Sequence, residues 1–184
     1  MITMDLTPML RKSLKKQYCL RLETSHPDKY SYDGIVSHIR PDYIVIHNEC
    51  NFEFDGLVVI RRKSITKCSD RTYDTHNKVL LHSGQLGKLK TPTWLDDCST
   101  FQDIFAQLKR RRIWPAVEMV EKKDSWFLIG PITHVEEKGS DIRCYDGQGK
   151  WEDVYPINYR YLHNITFGDS YSKHFNNYMR SKGK

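Results

Sequence analysis

The sequence predicts a mainly β protein with flanking helices, built as two tandem small barrels of five antiparallel strands each. Short runs of β-branched and aromatic residues recur along the 184 residues, which is typical of strands rather than helices. A helix, five strands and a second helix occur twice in the same order. Glycines fall within the short strands, where small barrels need sharp bends or bulges. Each half is therefore expected to fold around its own curled antiparallel sheet.

Two apolar runs, at residues 43–46 and 57–60, form the centre of the first half. The polar stretch between them ends in Asp55-Gly56, which is typical of a tight reversal because glycine accepts a positive φ. Gly34 lies inside another predicted strand and indicates a bend or a bulge there. The predicted strands of this half cover residues 18–23, 30–39, 43–47, 57–62 and 65–68.

Helices are predicted at both ends of the first half. Thr7 is a suitable N-cap and the proline after it fits a first helical turn, which predicts a helix over residues 8–16. Asp70 can cap a second helix over residues 71–82. Residues 84–97 hold two glycines and a proline, which is the composition of a connector between domains.

The second half repeats this order of elements. Ser99 or Thr100 can cap a helix whose apolar stripe consists of Ile104, Phe105 and Leu108. The remaining predicted elements are strands at residues 116–121, 126–135, 142–145, 151–157 and 161–165, and a last helix from Asp169 to about residue 180.

The two halves can be aligned with gaps of one or two residues. Residues 34–39 correspond to residues 130–135, because each stretch begins with glycine and has histidine at its fifth position. Three further pairs lie near the last helix of each half, and these are Asp70 with Asp169, Tyr73 with Tyr171, and His76 with His174. We therefore predict two similar domains, residues 1–90 and 91–184.

Residues 52–66, FEFDGLVVIRRKSIT, resemble a stretch in uncharacterised bacterial proteins associated with an Sm-like or SH3-like small barrel. The resemblance implies this fold for most of the first half, and the second half follows through the repeat. It implies no activity. RNA-binding Sm proteins carry an Asp-x-x-x-Asn signature after the second strand and an Arg-Gly pair near the last. Here residues 39–43 read IRPDY and no Arg-Gly pair occurs, so the resemblance does not extend to uridine recognition.

Charge and cysteine content favour a cytoplasmic protein with no membrane segment. The formal net charge of +6 attracts polyanions weakly and is also an ordinary charge for solubility. The five cysteines are far apart, odd in number and form no CxxC pair, which is typical of reduced thiols. No apolar run is long enough to span a bilayer, and the first 16 residues lack the apolar core of a signal peptide.

No metal and no cofactor are predicted. The eight histidines form neither an HxxxH nor an HExxH pattern, and no cysteine pair has the spacing of a zinc site. His38 and His134 occupy equivalent places in the repeat, as do His76 and His174. We interpret these histidines as strand-end residues that bond to backbone carbonyls rather than as ligands.

One loop has a composition that catalysis could use. Glu49, Glu53 and Asp55 cluster beside His47 and Cys50, and such groups can act as acid, base or thiolate nucleophile. The equivalent stretch of the second half keeps neither cysteine nor histidine. Acidic residues beside a turn are usually solvated, so we predict no catalytic residue and rank an enzyme third among the possible functions.

Two basic clusters are candidates for binding nucleic acid, because basic grooves with stacking aromatics hold single strands in small barrels. One cluster follows an apolar strand and the other ends a predicted helix. The candidate residues are Arg61, Arg62, Lys63, Lys109, Arg110, Arg111, Arg112, Trp126 and Tyr159. No base-reading motif accompanies them, and the same cations could simply complement helix ends.

The leading hypothesis from the sequence is a non-enzymatic binding or scaffolding protein made of two small barrels. Its expected partner is another protein, or a second copy of the chain, bound through exposed strand edges. The alternative is a protein that binds RNA or another single-stranded nucleic acid through the basic clusters. The two hypotheses differ in their dependence on salt, because only phosphate binding releases condensed counterions.

Overall fold

The computed structural model describes residues 6–70 and 74–182. The chain divides into two compact units, Met1–Pro92 and Thr93–Lys184. Both units consist mainly of antiparallel strands with helices before and after them. The predicted domains, residues 1–90 and 91–184, differ from these units by two residues at the boundary.

In its described residues, unit 1 contains five strands and two α-helices in the predicted order. Its strands pair antiparallel in the order β5-β1-β2-β3-β4. The elements are α1 (Thr7–Lys16), β1 (Leu20–Thr24), β2 (Ser31–Ile39), β3 (Tyr43–Cys50), β4 (Glu53–Arg61), β5 (Ile65–Asp70) and α2 (Asp74–His82), with a 3-10 turn at Arg62–Ser64 between β4 and β5. The predicted start of the last helix at residue 71, and Tyr73 of the repeat, lie outside the described residues.

The turn between β3 and β4 differs from the prediction. Asn51 and Phe52 have φ values of 52° and 65° and form the reversal. Asp55-Gly56 was predicted to form it, and that prediction is wrong, because β4 begins at Glu53 and runs through both residues. The positive φ of Gly56, 77°, falls opposite a register shift between β3 and β4, as in a bulge.

Helix α1 covers the apolar face of this sheet. Leu10 is fully buried and packs in a core with Leu20, Ile44 and Ile60. The Oγ of the buried Ser13 donates to the Tyr18 carbonyl at 2.6 Å and accepts from the Val36 N–H at 2.9 Å, which ties the helix to β2. The N-cap of α1 is Leu6, without a side-chain hydrogen bond, and not Thr7 as predicted.

Unit 2, as far as residue 182, contains two α-helices and six strands, one strand more than predicted. The strands pair antiparallel in the orders β11-β6-β7 and β10-β9-β8. The elements are α3 (Phe101–Arg110), β6 (Ala116–Glu121), β7 (Asp124–Ile129), β8 (Ile132–Val135), β9 (Gly139–Tyr145), β10 (Trp151–Asn158), β11 (Leu162–Phe167) and α4 (Ser170–Lys182).

The extra strand arises because the predicted strand over residues 126–135 is interrupted at Gly130-Pro131. Pro131 has no N–H for a ladder hydrogen bond. Gly130 has φ of 151° and lies so close to the Arg143 carbonyl oxygen that a Cβ would collide with it. The chain therefore leaves one sheet as β7 and enters the other as β8.

The helices of unit 2 begin where the sequence predicts. Thr100 caps α3 through a capping box with Asp103, whose carboxylate accepts from the Thr100 N–H at 2.8 Å. Ile104, Phe105 and Leu108 are fully buried, as the apolar stripe requires. Asp169 accepts a hydrogen bond of 2.9 Å from the Ser172 N–H before α4.

Neither unit closes its strands into a complete hydrogen-bonded barrel within the described parts of the chain. The mainly β architecture with flanking helices is confirmed. The prediction of a five-stranded barrel in the second half is wrong, because six strands form there. Across residues 6–70 and 74–182, no helix combines the length and the apolar character needed to span a membrane.

Candidate nucleic-acid interface

A basic groove of about 570 Å³ runs along α1 in unit 1. Three of its lining residues are cations, and two apolar side chains form its floor, one of them the exposed Leu14. The lining consists of Thr7, Arg11, Leu14, Lys15, Ile39 and Arg62. Arg11 and Lys15 lie four residues apart on one face of α1, so both side chains reach the same groove.

Arg62 reaches this groove from the 3-10 turn after β4. Its backbone N–H donates to the Asp42 carbonyl at 2.9 Å, which fixes the turn against the corner after β2. Its guanidinium donates to the Thr7 hydroxyl at 2.9 Å, at the first turn of α1. This single hydrogen bond leaves other guanidinium N–H groups of Arg62 able to reach an anion in the groove.

The residues beside Arg62 do not line the groove. Arg61 is half-buried, and burial lowers the pKa of its guanidinium while Asp42 opposes that change. Lys63 is exposed on the turn. Of the first predicted cluster, only Arg62 therefore contributes to the concave surface.

Unit 2 has a basic groove of about 360 Å³ along α3. Its cations are Lys109, Arg112 and Arg180, and its floor is apolar and partly aromatic. The remaining lining residues are Leu108, Ile113, Trp114, Pro131 and Ile132. No acidic side chain is among the described residues that line either groove.

Arg180 is held in place over an aromatic ring. Its guanidinium carbon lies 4.5 Å from the centroid of Trp114, and its Nη2 donates to the Arg112 carbonyl at 2.6 Å. Helix α4 thereby adds a cation to Lys109 of α3 and to Arg112, which lies just after that helix. Cation–π contact leaves the charge of the guanidinium intact and orients it toward the groove.

The other predicted residues of unit 2 lie elsewhere. Arg110 and Arg111 both donate to Gln107 Oε1, at 2.7 and 3.3 Å, and neither lines the groove. Trp126 is exposed on β7. Tyr159 is buried, stacks on Phe105 at 5.3 Å, and its pKa is raised to about 12 by burial. We therefore assign Tyr159 to the core.

Three groove cations were missed from the sequence, namely Arg11, Lys15 and Arg180. The spacing of Arg11 and Lys15 on a predicted helix was a usable signal, because residues four apart share a face. No local signal could have placed Arg180 beside Arg112, since the contact joins residues 68 positions apart.

The loop considered for catalysis is a β-hairpin whose side chains point to opposite faces. Cys50 is exposed, whereas the neighbouring Glu49 is buried. His47 Nε2 lies 2.7 Å from the Thr91 hydroxyl, and Glu49 Oε2 lies 3.2 Å from His76 Nε2. The hairpin therefore directs its histidine and one carboxylate inward, away from the exposed thiol.

The environment of His47 makes unit 1 sensitive to acid. Burial, together with a smaller effect of nearby His38, lowers the pKa of His47 to about 4. An unfolded histidine binds a proton near about pH 6.5, so between about pH 6.5 and about pH 4 the unfolded state binds more protons. Stability contributed by the neutral ring is therefore lost as the pH falls through this window.

We expect urea denaturation to show a loss of about 1–2 kcal/mol from this group between about pH 7 and about pH 4.5. His47→Gln should show a smaller loss over the same interval, because glutamine does not titrate. An equal loss in both proteins would contradict the assignment.

The chain matches no protein-family model, and no match is found among curated proteins or solved structures. The fold and the grooves define a mainly β chain in which each of the two units has a basic groove beside its first helix. Function is therefore argued from the geometry and charge of these sites.

Proposed function

We propose that the chain is a non-enzymatic binding protein whose ligand is a single-stranded nucleic acid. One observation carries this proposal. In each unit, two cations on the first helix or just after its end line a groove together with apolar residues, and a third cation enters from a distant element. In unit 1 these are Arg11 and Lys15 with Arg62. In unit 2 they are Lys109 near the end of α3, Arg112 just after that helix, and Arg180 on α4.

The chemistry of the grooves suits phosphates. Three cations without an opposing carboxylate attract a polyanion, and each phosphate contact releases condensed counterions. Arginine forms forked hydrogen bonds with phosphate oxygens, and each groove holds at least one arginine. A carboxylate-rich protein would bind more weakly, because it offers fewer regularly spaced anions.

The apolar floors favour unpaired bases over a duplex. Leu14 and Ile39 in unit 1, and Ile113 in unit 2, provide apolar surface on which a base can rest, and the Trp114 ring beside Ile113 already carries the Arg180 guanidinium. Aromatic stacking contributes about 1–3 kcal/mol per base and tolerates any sequence. A paired base keeps its faces inside the duplex and cannot use such a surface.

We also propose that unit 1 is an Sm-like or SH3-like small barrel. The proposal is supported by its N-terminal helix, by the strand order β5-β1-β2-β3-β4, and by the 3-10 turn between β4 and β5.

All five cysteines are free thiols, which supports the prediction of a cytoplasmic protein.

The proposal is tested by fluorescence anisotropy of a labelled single-stranded oligonucleotide of mixed sequence, titrated with the protein over a salt series. We expect the logarithm of the binding constant to fall linearly with the logarithm of salt concentration, by about 0.7 for each phosphate bound. A duplex of the same sequence serves as the control and should bind more weakly. No binding at low salt would overturn the proposal.

Self-association through a strand edge is the second candidate. It is favoured by Trp126 and Phe127, which are 43% and 52% exposed on β7, the last strand in the order β11-β6-β7. Exposed apolar edge strands are sites of pairing with another chain. Light scattering of the same samples distinguishes the two candidates, because self-association doubles the mass without nucleic acid.

A further inference from the structure

Three chemically different side chains converge inside unit 1, outside the lining of its basic groove. They are Cys19 just before β1, Glu49 on β3 and His76 on α2. One sulfur, one carboxylate oxygen and one imidazole nitrogen lie within 4.8 Å of one another. Glu49 Oε2 and His76 Nε2 are 3.2 Å apart.

The side chain of Asn77 holds α2 against the backbone of Cys19, the residue that supplies the thiol. The Cys19 N–H donates to Asn77 Oδ1 at 2.7 Å, and Asn77 Nδ2 donates to the Cys19 carbonyl at 3.4 Å. Asn77 follows His76 directly, so this pair of hydrogen bonds also fixes where the imidazole lies. Leu80, one turn further along α2, is fully buried against Cys19 and Ile35.

The carboxylate of Glu49 is oriented by the hairpin turn. Its side chain is fully buried, and its Oε1 accepts from the Phe52 N–H at 2.5 Å. The ring of Phe52 stacks on His76, with centroids 4.6 Å apart and planes inclined by 29°. The turn thus directs one carboxylate oxygen toward the imidazole and covers that imidazole with an aromatic ring.

The ligand types and their separations suit a zinc-like ion. Thiolate, imidazole and carboxylate are the three groups that zinc prefers in proteins. Tetrahedral coordination at ordinary bond lengths places pairs of ligand atoms about 3.3–3.6 Å apart. The 3.2 Å between Glu49 and His76 is already close to this range, and the sulfur needs to move by no more than about 1 Å.

The surroundings favour a bound cation over a purely polar cluster. A buried carboxylate is costly unless opposite charge compensates it, and a divalent ion does so more strongly than an imidazole. Cys19 is fully buried, while the His76 side chain is 10% exposed. His76 is therefore the member of the cluster whose side chain has surface exposed to solvent.

We propose that Cys19, Glu49 and His76 form a binding site for one divalent zinc-like ion, with a solvent molecule as fourth ligand. On binding, the thiol releases its proton and the hydrogen bond between Glu49 and His76 is replaced by two metal–ligand bonds. The ion would join β1, β3 and α2, so binding adds directly to the stability of α2 on the sheet.

Cobalt substitution tests the site, because a cobalt ion bound to thiolate absorbs light through charge transfer from sulfur. We expect the purified chain to bind one equivalent of Co²⁺ with this band, and Zn²⁺ to displace it. Cys19→Ser should abolish the band. Glu49→Gln and His76→Gln should each weaken Co²⁺ binding by more than about tenfold, because each removes a direct ligand. Zn²⁺ should raise the melting temperature of the wild type and of none of the three variants.

Two matched variants serve as controls. Cys50→Ser removes an exposed thiol, and His174→Gln changes the exposed residue that corresponds to His76 in unit 2. Both should retain full Co²⁺ binding and the charge-transfer band. Far-UV circular dichroism reports folding, and if Cys19→Ser does not fold, Glu49→Gln and His76→Gln decide the result. The proposal would be overturned if the wild type showed no charge-transfer band, or if Cys19→Ser, Glu49→Gln and His76→Gln all bound Co²⁺ with unchanged affinity.

Discussion

Replacing Arg11 and Lys15 together by alanine is expected to weaken binding of a single-stranded oligonucleotide by about 25-fold at roughly 0.1 M salt. Both cations line the groove along α1 and are exposed, so the change removes two phosphate contacts without disturbing the core. Each contact contributes about 0.7 to the slope of log K against log salt, or about fivefold at this concentration. Anisotropy titrations at several salt concentrations measure both the affinity and the slope.

The control for this experiment is a second double variant with the same change in charge. Lys16 and Lys29 are exposed in unit 1 and do not line the groove. Their replacement by alanine should lower affinity only a few-fold, through the general field of the protein. If the control loses as much affinity as the groove variant, binding depends on net charge and the groove is not the site.

Gly130→Ala is expected to destabilise unit 2 by about 4 kcal/mol. The backbone there has φ of 151°, a conformation that costs about 1–3 kcal/mol for a residue with a side chain. The added Cβ would also collide with the Arg143 carbonyl oxygen, so the β7–β8 corner or β9 must move. Urea denaturation followed by tryptophan fluorescence measures this effect in unit 2, because all four tryptophans lie there.

Gly147→Ala is the matched control for this substitution. Gly147 lies in the turn between β9 and β10, and a Cβ built on it meets no atom within 4 Å. The free energy of unfolding of the Gly147→Ala protein should differ from that of the wild type by less than about 1 kcal/mol. Equal unfolding midpoints for the two variants would show that the close approach at Gly130 does not constrain the fold.

Most strands and helices could be predicted because their signals are local. Thr100 and the stripe of Ile104, Phe105 and Leu108 define α3 from neighbouring residues alone. The apolar runs of β3 and β4 exclude helices by their length and their β-branched residues. Such features need no knowledge of what the element packs against.

The errors occurred where a backbone conformation depends on more distant parts of the fold. Phe52 adopts a positive φ because its N–H bonds to Glu49 and its ring stacks on His76, and neither contact is visible in the sequence. Gly130-Pro131 splits a strand because β9 approaches closely, so only the tertiary structure distinguishes this bend from a continuous strand.

The sites were only partly predictable for the same reason. Lys109 and Arg112 were found because they end a recognisable helix, whereas Arg180 joins them from α4. The cluster of Cys19, Glu49 and His76 has no spacing motif, since its members come from a strand start, a second strand and a helix. Its ligands converge only once α2 packs on the sheet.

The most direct test of nucleic-acid binding in the grooves uses two pairs of neighbouring cations at the end of α3. Lys109 and Arg112 line the groove of unit 2, whereas Arg110 and Arg111 contact Gln107. We predict that replacing the first pair by alanine reduces the salt slope of oligonucleotide binding by about 1.4, and that replacing the second pair leaves the slope unchanged. Equal slopes for the two double variants would contradict the account.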